Sequence, residues 1–167
     1  MSQFQTLSVR ELIVGDPNGS HFKLSAAGLL LYAGQHLRAS LFLCEGSPEL
    51  LFYDGNGQER LGVCVIGDGE PEIRLSDGNG HGRVSCGVLA EGTPCRTFSD
   101  AQQIKRLGLE LQEDGTPEFT LQDQNEQKRA ELTLRGDQDL CLIAYDADGR
   151  EIPATFVSTH HQGKQEG

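Results

Sequence analysis

The chain has 167 residues, which is the usual size of one domain, and its 14 basic and 25 acidic residues give a formal charge of −11. Nucleic acids and anionic membranes bind clustered Lys and Arg, and the sequence has no such cluster, so neither is expected as a partner. The longest apolar run, residues 26–33, is about half as long as a membrane-spanning helix, so membrane insertion is not expected. The first residues show no basic segment followed by an apolar one, so no secretory signal is expected.

A unit of 23 residues recurs along the chain. Four prolines follow one another at this spacing, and each is followed by an Asp after six residues and by an Arg after twelve. The sets are Pro48, Asp54 and Arg60; Pro71, Asp77 and Arg83; Pro94, Asp100 and Arg106; and Pro117, Asp123 and Arg129. Partial copies flank them, so one domain over residues 1–157 is expected, with repeats near 7–28, 29–47, 48–70, 71–93, 94–116, 117–139 and 140–157. Residues 158–167 are a polar tail for which we expect disorder.

Each unit contains two runs in which apolar and polar residues alternate, and this pattern predicts two half-buried β-strands. In chain order, turns are predicted at residues 16–19, 45–47, 56–57, 68–70, 79–80, 91–93, 114–116 and 146–149. A two-residue type I′ turn at 56–57 puts Phe52 opposite Leu61, so the turn chemistry and the apolar pattern agree. At the other end of the unit, a three-residue turn at 68–70 puts Val65 opposite Ile73.

The predicted fold is all-β, an antiparallel meander of about 12–14 short strands. As an open sheet it would be roughly 60 Å wide, with an apolar face larger than a soluble monomer leaves in water. We therefore expect the sheet to close as a two-layer roll or flattened barrel. Pairing with another copy of the chain, as a homo-oligomer, is the other way to cover this face.

The repeat pattern Pro-x-Leu-x-Leu-x-Asp-x-x-Gly-x-x-Arg-x-x-Leu, over roughly residues 7–157, resembles the tandem hairpin repeats of uncharacterised bacterial proteins. The stretches 53–54 and 145–150, which begin with Tyr53 and Tyr145, are also similar to parts of the YD repeats that build toxin-encapsulating shells. The other copies lack the Tyr, and the chain is too short to enclose anything. The resemblance implies a hairpin architecture and no particular activity.

Several turns have the residue spacing that begins a calcium loop. The candidate ligands are Asp54, Asn56, Asp77, Asn79, Asp146 and Asp148. An EF-hand also needs a bidentate Glu at its twelfth position, and the corresponding residues are Val65, Val88 and Val157. We therefore favour turn chemistry, in which the Asp accepts backbone hydrogen bonds and Asn-Gly takes positive φ. A calcium site is the alternative, and otherwise no cofactor is expected.

The other polar residues that recur or break the pattern have structural explanations. The repeated Arg residues are predicted to point outward, opposite Tyr53, Ser76, Ser99 and Gln122, where they stabilise the sheet surface. The five Cys form no Cys-x-x-Cys motif, so free thiols and a reducing compartment, the cytoplasm, are predicted. Arg96 occupies an inward position, and we expect it to extend to water at the turn rather than to contact a buried ligand.

The distribution of polar residues indicates the class of function. They recur once in each unit, whereas an enzyme gathers a few inward-facing polar groups in one pocket. The first hypothesis is therefore a non-catalytic structural or protein-interaction module with an unidentified protein partner. The alternative is a protein that binds calcium or a small polar ligand through its Asp and Asn-Gly turns.

Overall fold

The computed structural model describes residues 9–67, 69–135 and 139–152. These residues contain 14 β-strands and no helix, and each strand lies antiparallel beside the next strand of the chain in one sheet. The strands are β1 (Glu11–Gly15), β2 (Ser20–Ser25), β3 (Gly28–Ala33), β4 (His36–Cys44), β5 (Ser47–Tyr53), β6 (Glu59–Ile66), β7 (Glu70–Ser76), β8 (Gly82–Val88), β9 (Pro94–Ser99), β10 (Lys105–Leu111), β11 (Pro117–Gln122), β12 (Lys128–Arg135), β13 (Asp139–Tyr145) and β14 (Glu151–Ile152). The predicted all-β antiparallel meander is confirmed. The polar tail at 158–167 lies outside the described residues.

Apolar side chains at alternate positions of the strands line up in rows across the sheet, because residues directly opposite one another share a face. The first row is Val14, Phe22, Leu31, Ala39, Phe52, Leu61, Leu75, Val84, Phe98, Leu107, Leu121, Ala130, Ala144 and Ile152. The second row is Leu12, Leu24, Leu29, Leu41, Leu50, Val63, Ile73, Cys86, Arg96, Leu109, Phe119, Leu132 and Leu142. Pairs at the strand ends add a third row, which contains Leu43, Pro48, Val65, Pro71, Val88, Pro94, Leu111, Pro117, Leu134 and Leu140. We call this side the apolar face and the opposite side the polar face.

The prediction that one chain closes into a two-layer roll or flattened barrel is wrong for the described residues. β1 pairs only with β2, and β14 pairs only with β13, so the sheet stays open. Ile73 and Leu75, in the middle of the sheet, are 45% and 41% exposed, whereas a covered core would remove nearly all of this exposure. The connectivity explains the difference. The described connections are short hairpin turns, so none of the described segments crosses back over the apolar face.

The turn at 56–57 has the predicted strand pairing but a different backbone geometry. Phe52 lies opposite Leu61, as predicted. However, Gly57 donates its N–H to the carbonyl of Asp54, and of the loop residues only Gly57 has a positive φ, at 80°. The loop is therefore a type I turn followed by a left-handed residue, and the predicted type I′ turn is wrong. The Asp54 carboxylate favours this geometry because it accepts the N–H groups of Asn56 and Gln58.

At the other end of the unit the predicted register is wrong by two residues. Val63, rather than Val65, lies opposite Ile73. Gly69, with φ at 128°, takes the last position of the loop, where a positive φ is needed, and this moves the pairing along the strand. A shift of two residues keeps every side chain on its face, so the predicted assignment of side chains to faces remains correct here.

Candidate functional site

The carboxylates considered as calcium ligands lie in the turns, and Asp146 and Asp148 share one turn. Five Asp residues at the repeat spacing use Oδ1 in the same way: Asp54, Asp77, Asp100, Asp123 and Asp146. This oxygen accepts the N–H two residues later at 2.8–3.0 Å and the N–H four residues later at 2.9–3.2 Å. Asn56, Asn79 and Asp148 take part through their backbone N–H groups. These turns are Asx turns, as the favoured interpretation predicted.

The repeated Arg residues link neighbouring hairpins. Arg60 Nε donates to the carbonyl of Ser76 at 2.9 Å, Arg83 Nε to Ser99 at 2.8 Å, and Arg106 Nε to Gln122 at 2.9 Å. Each of these guanidinium groups also faces the Asp of its own hairpin, and the closest approach, Arg106 Nη1 to Asp100 Oδ2, is 3.2 Å. Each Arg therefore connects its own turn to the end of a strand in the following hairpin.

The predicted cross-strand neighbours of these Arg residues are wrong, because each Arg lies at a β-bulge. Tyr53 pairs with Glu59 and Phe52 with Leu61, so Arg60 is the extra residue between them. The register shifts in the same way at the other repeated Arg positions: Arg38, Arg83, Arg106 and Arg129. A bulge redirects a side chain away from its cross-strand neighbour, and here it directs the guanidinium to the turn.

The Asp carboxylates of the turns accept backbone N–H groups, and several also lie beside a guanidinium group. Oδ1 of Asp77 accepts two N–H groups, and Oδ2 lies 3.3 Å from Arg83 Nη1. The pKa of Asp77 is lowered, chiefly by the N–H of Asn79, and the pKa of Asp54 is lowered by the N–H groups of Asn56 and Gln58. Within residues 9–67, 69–135 and 139–152, no three His, Cys, Asp or Glu residues form a group that could hold a metal ion.

The polar face carries a hydrogen-bonded cluster that sequence reasoning missed. Lys128 Nζ lies 2.7 Å from Glu118 and 2.8 Å from Glu131, and the Tyr145 hydroxyl donates to Glu131 at 3.0 Å. Burial opposes ionisation of Glu131, which is 7% exposed, but Lys128 and Tyr145 outweigh it and lower the pKa. A strand register predicted from the sequence could have identified this cluster, because the register places these residues on one face. A fully paired cluster of this kind stabilises the sheet and offers no free base.

The five cysteines of the chain are all free thiols, as predicted. Cys64 and Cys141 are buried on the polar face, and burial raises the pKa of the Cys64 thiol. Burial also raises the pKa of Cys95, so neither of these two thiols is activated as a nucleophile. Cys86 lies in the second row of the apolar face and is exposed.

The apolar face is the largest unpartnered feature among the described residues. Of the large apolar side chains that the structure describes and that are at least 37% exposed, all lie on this face except Val9, Ile13, Ile66 and Leu89. Two shallow grooves of about 610 and 570 Å³ follow it, one over Val63 and Ile73 and the other over Leu109 and Phe119, and they share Cys86. In contrast, Leu51 and Cys64 on the polar face are 7% and 5% exposed.

Arg96 is the one charged residue in the three rows of the apolar face. Its side chain is exposed, and its guanidinium carbon lies 4.8 Å from the centre of the Phe98 ring. The side chain is therefore open to solvent, as expected, and the cation lies over an aromatic ring of the same face.

No protein-family model matches this chain, and no curated protein matches it. None of the described residues belongs to a helix that could span a membrane.

Proposed function

We propose that this chain is a non-catalytic structural or protein-interaction module that binds another protein surface through its apolar face. The observation that carries the proposal is the exposure of that face. Phe22, Leu41, Ile73 and Leu142 are 45–55% exposed although they lie on different strands across the sheet. Soluble proteins rarely leave such a continuous apolar surface in water, and where one exists it marks an interaction site.

The arrangement of polar groups supports a non-catalytic role. The Asp and Arg residues that recur in each unit are engaged in turn and hairpin contacts, and the cluster around Lys128 is internally paired. A catalytic site needs a positioned group that remains free to act on a substrate. Calcium binding, the alternative function, gains no support from carboxylates that already accept backbone N–H groups.

Photo-crosslinking from matched positions on the two faces tests this proposal. Ile73 on the apolar face and Ile66 on the polar face are 45% and 44% exposed, so each can carry benzoylphenylalanine with similar solvent access. In a cell extract containing the tagged chain, we expect a discrete crosslinked product from position 73 and not from position 66. Equal products from both positions, or none from position 73, would refute the proposal.

A further inference from the structure

We infer that the protein bound by the apolar face is a second copy of this chain, packed sheet against sheet. This inference rests on the proposed function, because it names the partner of the same face. A second copy supplies an apolar sheet surface of equal size. Its pattern of side chains also repeats every two strands. Two such sheets pack about 10 Å apart with their strands within about 30° of each other.

The area of the face is sufficient for a stable dimer. If each exposed apolar side chain leaves roughly 50 Å² in water, the face presents on the order of 1,000 Å² per copy, against about 300–600 Å² for the largest patch of a typical monomer. Two copies would then bury about 2,000 Å² in total, which exceeds the ~1,600 Å² of a standard interface. Because a twofold interface uses the same face on both chains, it covers both faces and closes the assembly.

The charge distribution also fits a second copy. The chain carries a formal −11, but no acidic residue occurs in the three rows of the apolar face. The carboxylates of the described residues lie in the turns and on the polar face, as Asp77 and Glu131 do. Two apolar faces can therefore meet without placing carboxylates against each other, and the acidic surface remains in water.

Arg96 distinguishes a second copy from a different protein. The rows of a second copy contain no carboxylate to pair with Arg96, so contact with that surface desolvates the cation without a partner. Replacing Arg96 with Leu should therefore strengthen self-association by about tenfold. A different protein that had adapted to this face would place a carboxylate near Arg96, and the same substitution would weaken its binding.

Two measurements on the purified chain test the inference together: the mass by light scattering and the alkylation rate of Cys86. Cys86 lies on the apolar face, whereas Cys44, at the end of β4, is exposed beside a turn and serves as the internal control. We expect a mass of at least twice the 18.2 kDa chain, with Cys86 alkylated at least tenfold more slowly than Cys44.

The other outcomes separate the inference from the proposed function. A monomer in which Cys86 reacts as fast as Cys44 overturns self-association and leaves the apolar face available to a different protein. A monomer in which Cys86 is protected overturns both, because the face is then covered within one chain. An oligomer in which Cys86 reacts freely overturns the inference, because the copies then associate through another surface.

A matched pair of substitutions identifies the face that the copies share. Ile73→Lys places a charge in the second row of the apolar face, and Ile66→Lys makes the same change on the polar face at nearly equal exposure. We expect Ile73→Lys to raise the dissociation constant on the order of 100-fold and Ile66→Lys to leave it unchanged. Circular dichroism confirms that each variant keeps its β-sheet. If Ile73→Lys loses it, Arg96→Leu tests the same face, and weaker association of that variant overturns the inference.

Discussion

At one position of the repeat, two units hold a residue other than glycine in a backbone conformation that favours glycine, and replacing it should stabilise the protein. This position is Gly57, the Gly of Asn56-Gly57, in one unit, with φ at 80°, but it is Gln103 and Glu126 in two later units, with φ at 65° and 60°. Both side chains are exposed. We therefore expect Gln103→Gly and Glu126→Gly to relieve backbone strain without loss of packing.

The expected gain in the free energy of unfolding follows from two opposing effects. A left-handed conformation costs a residue other than glycine about 1–2 kcal/mol, and the greater freedom of glycine in the unfolded chain returns roughly half of this. Each substitution should then raise the free energy of unfolding by about 0.5–1 kcal/mol. For a protein of this size, this corresponds to about 2 °C in Tm for each variant and about 4 °C for the double variant.

The reverse substitution provides the control. A Cβ at Gly57 would meet no atom within 4 Å, so Gly57→Gln changes only the backbone energy and should lower stability by about 1 kcal/mol. Thermal and urea unfolding, followed by circular dichroism, measure all of these variants. Unchanged or lower stability in both glycine variants would refute the reasoning, because it would mean that φ at these positions is not positive.

Three further predictions concern the turns and the polar face. Gly87→Ala should lower stability by about 1–3 kcal/mol, because its Cβ would lie 2.6 Å from the carbonyl oxygen of Pro71, whereas Gly82→Ala should be nearly neutral in the same urea unfolding assay. The pKa of Asp77 is lowered in the folded state, so its contribution to stability is present above the ordinary value of 3.8 and is lost as the pH falls through the folded pKa. Unfolding between pH 2 and 6 should therefore depend less on pH in Asp77→Asn. Millimolar calcium should leave Tm unchanged, and a rise that a chelator reverses would support calcium binding instead.

The fold could be predicted from the sequence to the level of faces and hairpins. The alternation of Phe52 with polar neighbours and the turn at 56–57 are local signals, and they agree on which side chains share a face. The register predicted at 68–70 was wrong, because the pattern of alternation does not change when a strand shifts by two residues. The position of Gly69 in its loop decides between the two registers.

Two other features, the bulge and the open sheet, depend on three-dimensional geometry that the residue pattern does not specify. The bulge at Arg60 adds a residue to one strand, which a pattern of continuous alternation does not reveal. Closure of the sheet was predicted on the principle that an apolar face must be covered. That principle does not say whether the same chain or another copy covers it.

Small-angle X-ray scattering of the Ile73→Lys chain, in conditions where it is monomeric, tests the open single-layer sheet most directly. Fourteen strands spaced ~4.8 Å apart give a radius of gyration of about 19 Å for one flat layer. A chain of this length folded into a compact roll has about 15 Å. We expect the larger value, with a longest dimension above roughly 60 Å. A value near 15 Å would contradict an open sheet and, with it, the exposed apolar face.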